Sequence, residues 1–529
     1  MTAAPATNEA IAVPREQLDA LQALLRSQGE EIVELKRQLD WFKQQVFGQK
    51  SERRVVADSQ QDGLFEAPAP ADADTASTVD VPAHTRSKHR TGEEVNDSGI
   101  RFDADVPVRE IVLSCPELQG PDAAQYEIVD YKDSLKLARQ PGSHVILKYR
   151  RPVVRHKGEG RLVTAAAVPG VLDHAQVDVS MLAGMAIDKF VYHVPVYRQH
   201  QKLKDEGIVV SRTTLDMWLR RAIQLLEPIA KAVFQQILQG RYLKIDETPI
   251  KAGRTKVASG AKAGQGKMKP GWLWPVLGEF GDIAFGYSEQ RGAAAVKAWL
   301  GEAFHGTIQT DGYQVYAQYA QKLPGCTHAL CWAHTRRAFL KAEQSDPQAV
   351  AEVLERIRAL YAIERRLRET AADAATILAT RQAQSTPVVD GIFQWIDAQI
   401  AQPGLTPRSP LARALAYAKE REAGLRVFLA DAWLDLDTND LERALRVIPM
   451  GRKNWLFCST EIGARYVAAI QTLLATCRAH GGDAYTYLVD VLQRVGQHPA
   501  CQIDQLTPRE WATRFAHDPL RSDLHRLRQ

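Results

Sequence analysis

Apolar residues recur every seven positions near the start of the chain: Leu18, Leu25, Ile32, Leu39 and Val46 share one register, Leu21, Leu35 and Phe42 the intermediate one, and only Gln28 is polar. Four heptads of this kind predict a coiled-coil seam within 14–54, with Ile32 and Val46 at a and mostly Leu or aromatic residues at d mildly favouring parallel pairing, and with Gln28 setting register. A single amphipathic helix folded back on its own protein carries the same short stripe, and under either reading the element is a contact device. FGQKSERR closes it, where Lys50, Arg53 and Arg54 meet either phosphate or solvent. From 55 to 101 the chain turns Ala/Pro/Asp/Ser-rich, as in EAPAPADADTAST, with little to bury, which predicts a disordered linker.

The period then changes. EIVLSC, YEIVDY and SHVILKYRRPVVRH read as strands of a small unit, 102–170, and Lys148, Arg150, Arg151, Arg155, His156 and Lys157 make its final strand strongly basic. Over 171–240 the pattern is helical: one helix covers 181–189, Pro195 opens a second, Gly207 breaks it, and Ser211 caps a third whose Leu215, Trp218, Leu219, Ala222 and Leu226 fall on one face. This is the spacing of a helix-turn-helix, and its outer face offers Arg212, Thr213, Thr214, Asp216, Arg220 and Arg221, residue types suited to phosphates and base edges. An ordinary helical hairpin shares the local pattern.

Across 241–457, RYLKIDETPI alternates as a strand ending at Asp246 and Glu247, GWLWPVLG and IAFGYSE follow as a strand pair, and GAAAVKAWLGEAF is a helix. TIQTDGY is another strand with a carboxylate at its tip, VYAQYAQKL a helix, and THALCWAH a strand. Strands with interleaved helices predict an α/β core. The stretch 336–430 is helical in pattern, and helices recur around Leu441, over 467–476 and over 485–495 in the final region, 458–529.

A length of 529 residues corresponds to about three or four structural units. Six Cys without a CxxC spell neither a disulfide framework nor a four-cysteine zinc knuckle, and point to a reducing cytosol. No basic leader followed by an apolar stretch and no long apolar run is present, so neither export nor a membrane partner is expected. The formal charge of +4 does not by itself indicate nucleic acid; its distribution matters more. In KAGRTKVASGAKAGQGKMKP, 251–270, Lys251, Arg254, Lys256, Lys262, Lys267 and Lys269 stand among Gly and Ser with no acidic residue, either a flexible excursion along a phosphate backbone or a solubilising hairpin.

The chemistry concentrates at Asp246 and Asp311, each at the end of a predicted strand, where functional side chains of α/β sheets converge. Two such carboxylates can bridge hard divalent ions, although acidic residues at strand ends also serve plain solubility. Glu247 points to the other side of an ideal strand and reads as structural. Cys326, His328, Cys331 and His334 have C-x-H and C-x2-H spacings that fit a zinc site poorly.

DETPI at 246–250, DGYQVY at 311–316, CWAHTRRAF at 331–339 and NDLERALRVIPMGRKNWLF at 439–457 together resemble the signature blocks of the insertion sequence 66 family of bacterial transposases. The resemblance extends to the zipper-like start with FGQKSERR, to KFVYHVPVYRQHQKLKDEGIVVSRTTLDMWLRRA at 189–222 and to YTYLVDVL at 485–492. It covers most of the chain outside the linker and parts of the helical insertion.

The resemblance implies a DDE transposase with an RNase H-like catalytic core. The expected architecture is a multidomain α/β protein: coiled coil and basic end (14–54), linker (55–101), a small degenerate zinc-finger-like segment (102–170), a helix-turn-helix region (171–240), the core (241–457) with a helical insertion (336–430), and a helical C-terminal region (458–529). Carried over by motif, the metal-binding and catalytic carboxylates are Asp246, Asp311 and Glu442, separated by 65 and 131 residues, with His334 a phosphate-binding or orienting residue nearby. Arg443 and Arg446 flank Glu442 on neighbouring turns, with Arg452 and Lys453 just beyond, all facing DNA phosphates. The implied cofactor is Mg2+ or Mn2+, two ions per site, with no zinc. The implied partners are double-stranded DNA, as terminal inverted repeats and target, a second copy in a homodimer or higher synaptic complex, and companion proteins of the same element. The implied location is cytoplasmic, on the nucleoid when DNA is bound. Two departures stand out: where many relatives carry a cysteine-rich segment only Cys115 remains, and the relatives' Asn-Asn before the Glu motif is Asn439-Asp440, an extra carboxylate expected near the other three. An RNase H-like nuclease without strand transfer and an inactive DNA-binding relic are the competing readings.

Overall fold

The computed structural model of the chain describes residues 100–255 and 266–526, except 105, 141, 303, 403, 404, 406, 456 and 457. The coiled coil expected over 14–54, nearly all of the expected linker, and Lys262 lie outside the described residues.

The first elements are β1 (Arg101–Phe102), β2 (Val108–Val112), β3 (Tyr126–Gln140), β4 (Ser143–His156) and β5 (Leu162–Thr164). β3 and β4 form a long antiparallel hairpin, β2 runs parallel to β4 on its other edge, and β5 pairs with the far end of β4. The cations of β4 face carboxylates on the neighbouring strands: Lys148 pairs with Asp133 at 2.9 Å, Arg150 with Glu110 at 2.9 Å, and Arg155 with Glu127. Cross-strand neighbours of opposite charge therefore neutralise much of what reads in sequence as a basic strand. Cys115 is buried with Val154 and Ala165 in a small apolar cluster, and its thiol donates to Glu117 at 3.0 Å.

Three helices follow: α1 (Val179–Phe190), α2 (Val196–Asp205) and, after the two-residue strand β6 (Ile208–Val209), α3 (Arg212–Leu238). Gly207 turns the chain between α2 and β6 with φ of +77°, and a Cβ there would lie 2.7 Å from Asp103 Oδ2. Ser211 caps α3 by accepting from the Thr214 amide at 3.0 Å. Leu215, Trp218, Leu219, Ala222 and Leu226 are all buried along α3.

The central sheet contains β7 (Tyr242–Ile245), β8 (Thr248–Arg254), β9 (Met268–Gly278), β10 (Ile283–Ser288), β11 (Gly306–Thr310) and β12 (Cys326–Leu330). Its order is β10-β9-β7-β11-β12, with β9 antiparallel to both β10 and β7 and with β11 parallel to both β7 and β12. Two expectations change. RYLKIDETPI is two strands, because β9 pairs with β7 through Leu277 and Val276 and with β8 through Leu273 and Trp272, leaving Asp246 and Glu247 at the crossing. THALCWAH leaves the sheet at Cys331, and Trp332, Thr335 and Phe339 bury one face of a helix, so His334 is helical.

Helices α4 (Ala293–Leu300), α5 (Gln314–Gln321) and α6 (Trp332–Leu340) accompany these strands. The insertion contains α7 (Pro347–Glu369), α8 (Ala374–Thr380), a π-helical stretch (Arg381–Ser385), α9 (Thr386–Ile400), α10 (Pro410–Lys419) and α11 (Glu422–Arg426), around an apolar core of its own that includes Ile357, Phe393 and Leu415. Arg381 anchors it: its guanidinium bonds Glu364 and the carbonyls of Phe428, Asp431 and Leu434. α12 (Asn439–Leu445), α13 (Val447–Trp455), α14 (Glu461–Ala479), α15 (Ala484–Arg494), α16 (Pro508–Arg514) and α17 (Asp523–Arg526) complete the chain.

A single apolar core runs from Ile100 and Leu137 through α1 and α3 to Ile245 and Trp274 of the central sheet and Leu473 of α14. α3 makes this continuous: its first turns pack on α1 and α2, and Ile237 near its end lies over Gly278, where a Cβ would come within 3.0 Å of it.

Candidate active site

Register places the first two carboxylates. Lys244 of β7 stands opposite Gln309 of the parallel strand β11, so Asp246 and Asp311, each two residues further on, occupy matching positions at the carboxyl ends of adjacent strands. Neighbouring strands lie about 4.8 Å apart, which brings the two acids side by side. Each carboxylate is oriented locally, Asp246 Oδ1 accepting from the Glu247 amide at 2.7 Å and Asp311 Oδ1 from the Tyr313 amide at 2.9 Å. Burial, with the negative charges of Asp311, Glu247 and Glu442, pushes the Asp246 carboxyl up to about 7 against the pull of that amide.

Glu247 is committed elsewhere: buried beneath the edge, it bonds the Arg291 guanidinium at 2.8 Å and the Tyr316 hydroxyl. Asp440 likewise turns away from the candidate triad. Lys244, only 1% exposed, donates to Asp440 at 2.7 Å and to Asp435 at 2.6 Å. The extra carboxylate thus balances a buried ammonium, which corrects the expectation that it crowds the other three.

Glu442 projects from α12 into an open cleft of about 480 Å³ that it shares with Asp246, His334, Arg337, Asn439, Arg443 and Arg446. Its Oε1 accepts from Arg337 Nη2 and lies 3.7 Å from His334 Nε2. Arg337 Nη1 in turn lies 3.3 Å from His334 Nε2. Burial, then the Arg337 charge, lowers the His334 pKa, which keeps its imidazole neutral at physiological pH. Among the described residues, no three His, Cys, Asp or Glu side chains stand together as a ready ligand set. Asp311 is absent from the residues lining the cleft around Glu442, so Asp246 is the carboxylate common to both neighbourhoods.

The insertion reaches the site. Tyr417 of α10 donates its hydroxyl to the Asp311 carbonyl at 2.8 Å, and Arg421 donates to the Gly312 carbonyl at 3.3 Å. Gly312 has φ of +95°, and a Cβ there would meet Arg421 Nε at 2.7 Å. Arg337, Tyr417 and Arg421 were not among the residues singled out from sequence; the second arginine of CWAHTRRAF was the available signal for Arg337, whereas nothing local marks the other two.

The remaining candidates are dispersed. Arg212, Thr213 and Arg220 are exposed on α3, Thr214 is half-buried with its hydroxyl 2.8 Å from that of Ser211, and Arg221 donates to the Asp173 carbonyl at 3.3 Å. Arg452 donates to the Pro249 carbonyl, Lys453 is exposed, and so is Lys267. The flanks of the 251–270 segment are paired strand rather than excursion, and Lys269 is held by Glu461 at 2.6 Å. Cys326, His328, Cys331 and His334 serve separate neighbourhoods: His328 bonds Thr310 at 2.9 Å, Cys331 accepts from the Thr438 amide at 3.4 Å, and His334 faces Glu442.

The family model described as Transposase IS66 family matches residues 174–466, more than half of the chain and all of the cleft. The chain belongs to the IS66 family of transposases. Two further models match flanking regions, the IS66 C-terminal element over 472–509 and Transposase C of IS166 homeodomain over 34–111. The uncharacterised protein y4qI of Sinorhizobium fredii is 28% identical over 523 residues, 95% of this chain and 94% of that protein. The uncharacterised protein y4hP of the same organism is 30% identical over 359 residues, 63% of this chain and 62% of its own length. A solved structure, the Drosophila P element transposase strand transfer complex, aligns over 70% of this chain and 92% of its own at 11% identity, with a TM-score of 0.21, and the two folds are not equated at that value.

Two adjacent carboxylates of this IS66-family chain are donors of the kind a hard divalent cation takes. Asp246 and Asp311 are adjacent hard-oxygen donors, the Asp246 carboxyl is raised by burial and then by neighbouring negative charge that a cation would offset, and Glu442 is within electrostatic reach on a separate helix. Among the described residues, no helix of this transposase-family chain is long and apolar enough to cross a membrane.

Proposed function

We propose that the chain is a DDE transposase with an RNase H-like core, which binds the terminal inverted repeats of its element, cleaves phosphodiester bonds at the ends and joins the 3′ hydroxyls to target DNA. The observation that carries this reading is the matched placement of Asp246 and Asp311 on adjacent parallel strands, with Asp246 sharing a cleft with Glu442. The strand order, a three-stranded antiparallel unit extended beyond β7 by two parallel strands, supports the RNase H-like assignment.

Asp246, Asp311 and Glu442 would hold two Mg2+ or Mn2+ ions, whose charge would stabilise the attacking and leaving oxygens of an in-line displacement. Arg443 and Arg446 face the same cleft and neutralise the phosphates that enter it. Neutral His334 orients a phosphate or the Glu442 carboxylate through Nε2. Water and then a DNA hydroxyl act as nucleophiles, so no covalent protein–DNA bond forms. Capped α3 presents Arg212 and Thr213 to the duplex, and a second copy brings the other element end into one complex in the bacterial cytoplasm. The engagement of Asp440 by Lys244 removes one motive for the inactive-relic reading.

The test is strand transfer with the full chain, Mg2+ and a duplex carrying the element's terminal repeat. Joined products are expected from the wild type, and none from Asp246→Asn, Asp311→Asn or Glu442→Gln, each of which still binds the end. Cleaved ends without joined product would assign a nuclease, and binding without either product a relic.

A further inference from the structure

We propose that Arg337 is a phosphate-binding catalytic residue, which holds Glu442 before DNA arrives and exchanges that carboxylate for a phosphate oxygen when DNA enters the cleft. The proposal rests on the active-site reading above and adds a residue and a role to it.

Two Arg–Glu pairs in this region show the contrast. Arg381 and Glu364 are 3% and 8% exposed, and Arg381 also binds three backbone carbonyls, so that pair is built into the insertion. Arg337 and Glu442 are 43% and 28% exposed, and they meet in the cleft that Asp246, Arg443 and Arg446 also line. Among the described residues, the other side chain within hydrogen-bond distance of the Arg337 guanidinium is His334, whose Nε2 lies 3.3 Å away. The guanidinium therefore bridges a residue that can orient a phosphate and a carboxylate that can bind a cation.

The chemistry favours exchange. A guanidinium fork matches phosphate oxygens as well as it matches a carboxylate, and a half-buried pair at an open cleft gives up less on opening than a buried one. While Arg337 holds Oε1, Glu442 has that oxygen committed to a cation of the protein; once a phosphate takes the fork, both carboxylate oxygens are released on the side of Asp246. Arg337 lies one helical turn beyond His334 on α6, immediately after β12, so the sheet itself sets where the fork points.

The experiment uses the full chain, Mn2+ and a duplex carrying the element's terminal repeat, with Arg337→Ala and Arg337→Lys. Without DNA, Arg337→Ala is expected to bind Mn2+ several-fold more tightly, because Glu442 is freed. With DNA, its affinity falls and the slope of log K against log salt shrinks by about one, the signature of one lost phosphate contact. Arg337→Lys keeps the charge and hence the salt slope, while strand transfer at saturating DNA stays depressed because the fork is gone. A purely structural pair would weaken Mn2+ binding and DNA binding together and lower the melting temperature. That result, or Mn2+ affinity and salt slope both at wild-type values, overturns the proposal. Asp246→Asn is measured in parallel: wild-type Mn2+ binding and strand transfer in that variant would bring down the active-site reading itself, whereas their loss with unaltered Arg337 variants would bring down only the role of Arg337. If Arg337→Ala does not fold, Arg337→Gln keeps the volume and removes the charge, and the same expectations apply to it.

Discussion

Lys244 donates to Asp440 at 2.7 Å from a position in the centre of the sheet, with Asp435 as its second partner at 2.6 Å. Burial, the largest influence on this ammonium, pulls its pKa down, and the two carboxylates together more than offset it. The pair explains why the residue next to Asn439 is tolerated as an acid: it sits over a buried cation and not over the candidate triad.

Removing one acid should therefore be mild and removing both severe. Asp440→Asn leaves Lys244 paired with Asp435 and should cost about 1 kcal/mol or less. Asp435→Asn combined with Asp440→Asn strands a buried ammonium and should cost about 3–5 kcal/mol, well above the sum of the single changes. Urea unfolding of the three variants measures it; additive losses would show that the two acids do not share the lysine.

Asp246 makes the metal-free protein pH-sensitive. Its folded carboxyl titrates at about 7 against an ordinary value of 3.8, so the folded state binds the proton more tightly than the unfolded state does. The contribution is fully present below about pH 4 and is lost as pH rises through about 7, at no more than ~1.4 kcal/mol per pH unit. In EDTA, Asp246→Asn should melt above the wild type at pH 8 and level with it at pH 4. Mg2+ should raise the wild-type melting temperature more at pH 8 than at pH 5, and leave Asp246→Asn nearly unchanged.

Tyr417 tests whether the insertion serves the site. Tyr417→Phe removes the hydroxyl that donates to the Asp311 carbonyl and should cost only about 1 kcal/mol of stability. Strand transfer should fall by about tenfold or more if the turn carrying Asp311 loosens, since small misplacements of reacting groups are expensive. Mn2+ affinity should weaken alongside it with end binding unaltered; unchanged Mn2+ affinity would make Tyr417 a packing residue.

DNA recognition should divide between α3 and the flank of the β8–β9 hairpin. Arg212→Ala or Thr213→Ala should relax discrimination between the element end and random duplex by about 1–3 kcal/mol per lost base contact. Thr214→Ala should act chiefly on the helix cap, because its hydroxyl is bonded to Ser211. Lys267→Ala should lower affinity for all duplexes alike and flatten the salt dependence. Titrations on both duplexes at several salt concentrations separate these outcomes.

The heptads at 14–54 predict self-association of the full chain and of the isolated segment by sedimentation. A concentration-independent monomer in both, with and without DNA, would point to a helix packed on its own protein.

Local pattern alone located most of the elements that carry the site. Alternation marked β11 up to Asp311, a Ser cap and an i, i+3, i+4 apolar face marked α3, and acids at strand ends marked Asp246 and Asp311, because these signals live within a few residues of one another. Glu442 carries no such signal and came from resemblance to the family. CWAH continues the apolar run of THAL and so predicts a strand through His334, whereas the burial of Trp332, Thr335 and Phe339 along one face makes that stretch a helix.

What the sequence determined by itself is the order of most strands and helices, the family and the two strand-tip acids, since periodicity, caps and motif blocks are properties of neighbouring residues. Tertiary structure decided which charges are spent and which face the cleft. Lys244 reaches Asp440 across 196 residues, Arg337 reaches Glu442 across 105 and Tyr417 reaches Asp311 across 106. Contacts of that span depend on strand register and on how the insertion packs over the sheet edge, and no local pattern encodes either. The basic strand β4 shows the same physics at shorter range: its lysine and arginines read as a cationic stripe until antiparallel and parallel pairing set Asp133, Glu127 and Glu110 beside them.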